Sequence, residues 1–263
     1  MEDTRGSNAA EMPFLDHLEE LRWRIIWSLA ALIVGVVIGF VIVLNFKLLT
    51  WMQGPILPYL HGKKLVITHP ADGFSITMQT AIIVGIVLAL PVIIYQVWAF
   101  LSPALHRHEK RIAVPVIVGA VALFLCGCAL AWYFVLPMTL KFLTSVGDGA
   151  FDSMITGSEY FGFVSSMVLA MGAVFELPIA ILILSAIGLV TPQFLSKFRR
   201  HAVLGSYVAA AIITPGDLFV TSVALMVPLY LLYELSIGLS YIVYRKRQKR
   251  QALDEADEAE AVA

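Results

Sequence analysis

Residues Gly73–His106 read GFSITMQTAIIVGIVLALPVIIYQVWAFLSPALH, and none of them is Asp, Glu, Lys or Arg. About 20 consecutive apolar residues are enough for a helix to cross a hydrocarbon core of ~30 Å, so this stretch alone puts the chain in a membrane. Working outward, Ile25–Phe46 and Ile112–Leu140 are equally free of charge. Between Glu159 and Lys197 the only charge is Glu176, and two more apolar segments follow, His201–Gly216 and Leu218–Tyr244, the second interrupted only by Glu234. The chain therefore reads as an all-α integral membrane protein with six transmembrane helices. Its composition agrees: 59% of the 263 residues are hydrophobic, 14% are charged, and the mean hydropathy is +0.85, unlike an ordinary soluble domain.

The basic residues set the orientation. Of the 18 Lys and Arg, all but Lys47, Lys63, Lys64 and Lys141 fall in segments that share a side if the amino terminus is cytoplasmic. The positive-inside rule then gives N-in and C-in, as an even number of spans requires. The first apolar run is expected to be a retained helix rather than a cleaved signal, because polar residues precede it at length and no A-x-A-like site follows before Trp51.

The fifth apolar segment is short. Residues 201–213 extend only about 20 Å at 1.5 Å per residue, less than the core they must cross. The turn Thr214-Pro215-Gly216-Asp217 leads into Leu218–Tyr233 before Glu234 interrupts, so the fifth and sixth helices are expected to form a short hairpin that thins the bilayer locally. Pro91, Pro115, Pro178 and Pro228 lie within spans, where a missing N–H favours a kink. Bent helices of this kind can enclose a cupped, concave surface.

Residues 1–13 are expected to be disordered, residues 14–244 to form one membrane domain, and residues 245–263 to be a charged cytoplasmic tail. Phe14, Leu15, Leu18, Leu21 and Ile25 recur at helical spacing with charged residues between them, which predicts an amphipathic helix on the cytoplasmic surface running into the first span. Phe46–Asp72 is expected to be a compact external cap, broken by Pro55, Pro58 and Pro70, with Trp51 and Tyr59 at the interface. Pro137–Glu159 reads as a polar external segment. Cys126 and Cys128, two apart in one span, point to different helix faces and read as packing residues, not as a disulfide or metal pair.

No G-x-x-x-x-G-K-S/T phosphate loop and no G-x-S-x-G nucleophile turn is present, so ATP hydrolysis and acyl-transfer catalysis are not expected. His108-Glu109-Lys110-Arg111-Ile112 lacks the second histidine of a zinc-binding HExxH. No metal, cofactor or nucleic acid is expected.

Four glutamates stand out. Glu176, between Phe175 and Leu177, is costly in hydrocarbon unless paired, hydrated or protonated; it is a polar partner contact, a neutral acid hydrogen-bonded within the bundle, or an acid snorkelling near an end. Glu234 has Tyr233, Tyr241 and Arg245 as candidate partners. Glu20 on the amphipathic helix and Glu109 on the short cytoplasmic loop could receive the guanidinium groups of an arginine-bearing peptide, which pair bidentately with carboxylates where lysine cannot. Equally, they could form surface pairs with Arg22, Arg24 or Arg111.

His17-Leu18-Glu19-Glu20-Leu21-Arg22, Tyr95-Gln96-Val97-Trp98-Ala99-Phe100 followed by Pro103-Ala104-Leu105 and His108-Glu109-Lys110-Arg111, Phe175-Glu176-Leu177-Pro178, and Thr214-Pro215-Gly216-Asp217 occur in that order. With them the chain, from about Met12 to Arg245, strongly resembles the TatC family, the polytopic receptor subunit of the twin-arginine protein translocase. The resemblance implies a cupped six-helix fold in the bacterial inner membrane that recognises the paired-arginine signal peptides of folded cargo and takes part in transport driven by the proton-motive force.

By position in those motifs it also implies that Glu20 and Glu109 contact the signal-peptide arginines, with Arg22, Phe100, Pro103 and Arg107 shaping that site. Glu176 would face the concave side. Thr214, Pro215, Asp217 and Thr221 would lie near where single-span TatA-like and TatB-like subunits dock, within a complex that also self-associates. Gly216 stands where a second proline can occur, and Thr221 where a longer polar amide is expected. The alternative reading from another class is a small-solute transporter or channel with Glu176 as its ion or proton site, although no internal repeat supports it.

Overall fold

A computed structural model describes residues 7–60, 62–101, 113–146, 154–214 and 219–262; the side chains described within these are those of 17–60, 62–100, 114–146, 154–214, 219–245 and 248. Five helical stretches are long and apolar enough to cross a membrane: His17–Asn45, Asp72–Phe100, Val114–Ser145, Gly157–Ala186 and Val220–Arg245. They belong to α1 (Ser7–Asn45), α3 (Asp72–Leu101), α4 with α5 (Ala113–Leu130 and Leu136–Ser145), α6 with α7 (Gly157–Phe175 and Leu177–Ala186), and α10 (Val220–Val262). Short α2 (Leu48–Met52), α8 (Pro192–Lys197) and the 15-residue α9 (Arg199–Ile213) complete the α-helices of the described residues.

α1 and α3 pack along most of their length because their contact is made of small residues. A Cβ at Gly35 would lie 2.5 Å from the carbonyl oxygen of Gly85, one at Gly39 2.5 Å from that of Ala81, and one at Gly85 2.6 Å from the backbone nitrogen of Val36. Between apolar helices in lipid, van der Waals contact of this kind replaces the hydrophobic effect as the source of association. Gly85→Val is expected to force the two backbones apart at a cost of about 1–3 kcal/mol. The check is the thermal midpoint of the purified protein in detergent, which an unstrained contact would leave unchanged.

Each interrupted span breaks at a proline. The third widens into a π turn, Ala131–Val135, just before Pro137, whose missing N–H interrupts the i→i−4 ladder. It then continues as α5, so residues 137–145 extend the helix rather than starting the polar loop. The fourth breaks at Glu176, with Pro178 in the first turn of α7. Pro91 and Pro228 lie inside α3 and α10, whereas Pro115 sits in the first turn of α4, where a proline is tolerated.

The segment between α1 and α3 folds into a cap over the helix ends. Met52, Ile56 and Leu60 are buried in the main core with Val135, Leu136, Tyr160 and Val164. The Tyr160 hydroxyl donates to the Met52 carbonyl at 2.7 Å, and Trp51 stacks on Trp132 with ring centroids 4.3 Å apart. An isolated parallel bridge ties Val66 to Thr156 through Val66 N–H to Ile155 O (3.1 Å) and Gly157 N–H to Val66 O (2.8 Å). The cap closes on α3 where Asp72 Oδ2 accepts from the backbone N–H groups of Thr68 and His69.

α1 begins at Ser7 and α10 runs to Val262. Residues 245–262 are rich in Ala, Glu, Lys, Arg and Gln, which favour helix over coil. Although α10 is long, the apolar part of the α9–α10 hairpin is short. Arg199, at the start of α9, pairs with Glu234 on α10 at 2.9 Å, which fixes a polar level on both helices. From that level to the turn, residues 220–233 rise only about 21 Å.

Candidate functional site

The described part of the site lies where the amino-terminal half of α1 meets the end of α3. Both helices enter it on the close glycine contact described above, which brings residues 17–32 alongside residues 93–100. Glu20 is one turn before Arg24 on α1, and the Arg24 Nη2 meets Glu20 Oε1 at 2.9 Å. The other terminal nitrogen, Nη1, donates to Gln96 Oε1 on α3 at 3.1 Å. One guanidinium thus links a carboxylate on its own helix to an amide 72 residues away. Both charged side chains keep about a third of their surface open, 32% for Glu20 and 29% for Arg24, so the pair is within reach of a ligand.

His17 stacks on Phe100, with ring centroids 4.4 Å apart and planes at 19°, fastening the turn that carries Glu20 to the last turn of α3. Arg22 is exposed on α1. Arg24 and Gln96 also line an apolar cleft of about 290 Å³ between the helices, together with Leu21, Ile25, Leu29, Ile93, Val97 and Phe100. A carboxylate–guanidinium pair beside an apolar cleft is the form that suits a peptide whose cationic head precedes an apolar stretch. Glu109, Pro103 and Arg107 lie outside the described residues; of the rest of that predicted set, Phe100 lines the cleft with Arg24, the partner of Glu20, whereas Arg22, two positions on from Glu20, is exposed on a different face of α1.

Arg24, Gln96 and His17 are the members that reading the sequence did not single out. Arg24 appeared there only as one possible surface partner of Glu20. A sequence signal for it existed, the Glu-to-Arg spacing of i, i+4; His17 and Gln96 stand inside the motifs that carry the family resemblance, but nothing along the chain paired Gln96 with Arg24.

Glu176 sits at the break between α6 and α7. Neither of its buried carboxylate oxygens finds a hydrogen-bond partner among the described residues. An acid hydrogen-bonded to its own bundle would need a donor there, and none of the described residues supplies one. Glu234 differs from expectation: Tyr230 donates to its Oε1 at 2.7 Å and Arg199 to its Oε2 at 2.9 Å, while Arg245 lies over the Tyr241 ring at 5.0 Å and Tyr233 donates to Leu195 O. Arg199 is distant in sequence and reaches Glu234 only because α9 and α10 fold back on each other.

Thr214 is fully buried, donating to Ala210 O at 2.8 Å and lying 3.0 Å from the Ser222 hydroxyl. Thr221 is 1% exposed. These hydroxyls belong to the interior of the hairpin. Its outer surface is apolar, with Val220, Val223, Val227 and Leu231 exposed at helical spacing along α10. Pro215 and Asp217 lie outside the described residues. Cys128 packs with its thiol 3.7 Å from Val168 O, and both cysteines are free.

Helices of this length and apolarity, broken at prolines and capped at one end, define a multi-pass α-helical membrane protein. The family model described as Sec-independent protein translocase protein (TatC) matches residues 16–228. The chain is 37% identical to the Sec-independent protein translocase protein TatC of Aquifex aeolicus over 243 residues, covering 91% of this chain and 99% of that one. It is 35% identical to TatCy of Bacillus subtilis over 251 residues, covering 93% and 94%. The fold is similar to the crystal structure of the twin arginine translocase receptor TatC, with a TM-score of 0.72 and 35% identity over 86% of this chain and 99% of that one. The chain belongs to the TatC family of protein translocase components, which are not enzymes.

Proposed function

We propose that this protein recognises paired-arginine signal peptides on the cytoplasmic face of the bacterial inner membrane and organises proton-motive-force-driven transport of folded proteins. The observation that carries the reading is the partly open Glu20 carboxylate, paired with the Arg24 that lines an apolar cleft between α1 and α3. A guanidinium docks on the carboxylate and the apolar stretch behind it enters the membrane along the helices. Glu109 supplies the second carboxylate, and Pro103 and Arg107 complete the rim. Six spans with both termini cytoplasmic place that rim on the side from which cargo arrives, in agreement with the distribution of basic residues.

Glu176 accepts a donor from a partner or from the inserted peptide on the concave side. Single-span TatA-like and TatB-like subunits dock on the α9–α10 hairpin, for which its exposed Val220, Val223, Val227 and Leu231 stripe is suited, next to the turn that contains Thr214, Pro215 and Asp217. The short apolar length of the hairpin thins the bilayer beside them. Family membership supports protein transport over a small-solute carrier.

The test is export in cells lacking this chain. Precursors with paired-arginine signals are expected to remain in the cytoplasm while ordinary secretion continues; normal export of those precursors would reject the proposal.

A further inference from the structure

We propose that Arg24 is a built-in occupant of Glu20, which an arginine of the incoming signal peptide has to displace, and that Gln96 retains the displaced guanidinium. The inference rests on the reading of Glu20 as an arginine receptor. Arg24 does not hold Glu20 with both of its terminal nitrogens. Nη2 takes Oε1 at 2.9 Å and Nη1 is committed to Gln96 Oε1 at 3.1 Å. A peptide guanidinium pairs best with a carboxylate through both oxygens at once, and one of these is already taken. The pair is an i, i+4 contact about one-third exposed, a class weak enough to open and re-form.

Gln96 makes the exchange a rotation rather than an ejection. When Nη2 swings off Glu20, Nη1 keeps its amide partner on α3, so Arg24 stays at the rim of the cleft it helps to line. An ammonium behaves differently. It is a point charge that one oxygen satisfies, so a lysine can settle on Oε2 without moving Arg24. Arg24 therefore acts as a specificity-determining residue whose removal benefits arginine more than lysine, and Gln96 is a positioning residue that acts through Arg24.

The test is binding of fluorescent peptides to the full-length protein in lipid nanodiscs, one peptide with the arginine pair and one with lysines in its place. Arg24→Gln is expected to tighten arginine-peptide binding about twofold to fivefold and lysine-peptide binding by less. Gln96→Leu is expected to weaken arginine-peptide binding about twofold, to leave the lysine peptide unchanged, and to have no effect once Arg24→Gln is present. Equal gains for both peptides in Arg24→Gln would show removal of a repelling charge and overturn the proposal. So would a Gln96→Leu effect that persists in the double variant. If Arg24→Gln does not fold, the two peptides measured on Gln96→Leu carry the test, and equal weakening of both overturns it. A Glu20→Gln variant with unchanged arginine-peptide binding would overturn the receptor reading itself, whereas weakened binding there with equal gains in Arg24→Gln would overturn only the displacement.

Discussion

Glu20→Gln is expected to weaken binding of a paired-arginine peptide about tenfold to a hundredfold, the equivalent of the ~1.5–3 kcal/mol carried by hydrogen bonds to a charged group. The amide keeps the shape of the carboxylate and one acceptor oxygen, so the loss reports charge and bidentate pairing rather than packing. Stability should barely change, because the Glu20–Arg24 pair is partly exposed and such pairs are worth at most about 1 kcal/mol. The check is peptide affinity alongside the thermal midpoint of the same preparation. A large fall in midpoint with unaltered affinity would assign Glu20 to structure.

Glu176→Leu is expected to move stability and transport in opposite directions. Both oxygens of Glu176 are buried without a partner among the described residues, and a buried unsatisfied polar group costs about 1–3 kcal/mol. Leucine is similar in size and removes that cost, so the isolated protein should melt at a higher temperature. Export of paired-arginine precursors should fall at least about tenfold, on the view that an acid held in hydrocarbon is there for a partner. Melting in detergent and precursor processing in cells check the two halves. Unchanged export would leave Glu176 without the role proposed for it.

Much of this architecture is legible in the sequence because lipid makes local composition decisive. The charge-free runs mark spans, Pro178 marks the break beside Glu176, and Pro55, Pro58 and Pro70 keep the segment after α1 from becoming one helix. What is not legible depends on pairs distant in sequence. Gln96 holds Arg24 only because Gly35, Gly39 and Gly85 let α1 and α3 touch; the spacing of Gly35 and Gly39 was a signal for such a contact, but it names no partner. Glu234 was assigned neighbours on its own helix, whereas the folded hairpin supplies Arg199. Thr214 ends α9, and that its hydroxyl faces inward follows from Ser222 on α10 across the hairpin.

α5 illustrates the other kind of miss. The external segment read as starting at Pro137 begins on a helix, because a proline removes only one donor. The chain absorbs that loss with a single π turn and resumes at Leu136. Polar residues such as Lys141 then ride on a helix extending beyond the apolar core rather than in a loop.

The central claim is that Glu20 and Glu109 together receive the arginine pair at the cytoplasmic face. Its most direct test is photo-crosslinking of a paired-arginine signal peptide from probes placed beside each glutamate, at Leu21 and at His108, in the wild-type chain and in the Glu20→Gln, Glu109→Gln double variant. The account predicts strong crosslinks from both positions in the wild type and their loss in the double variant. Undiminished crosslinking in that variant would contradict it.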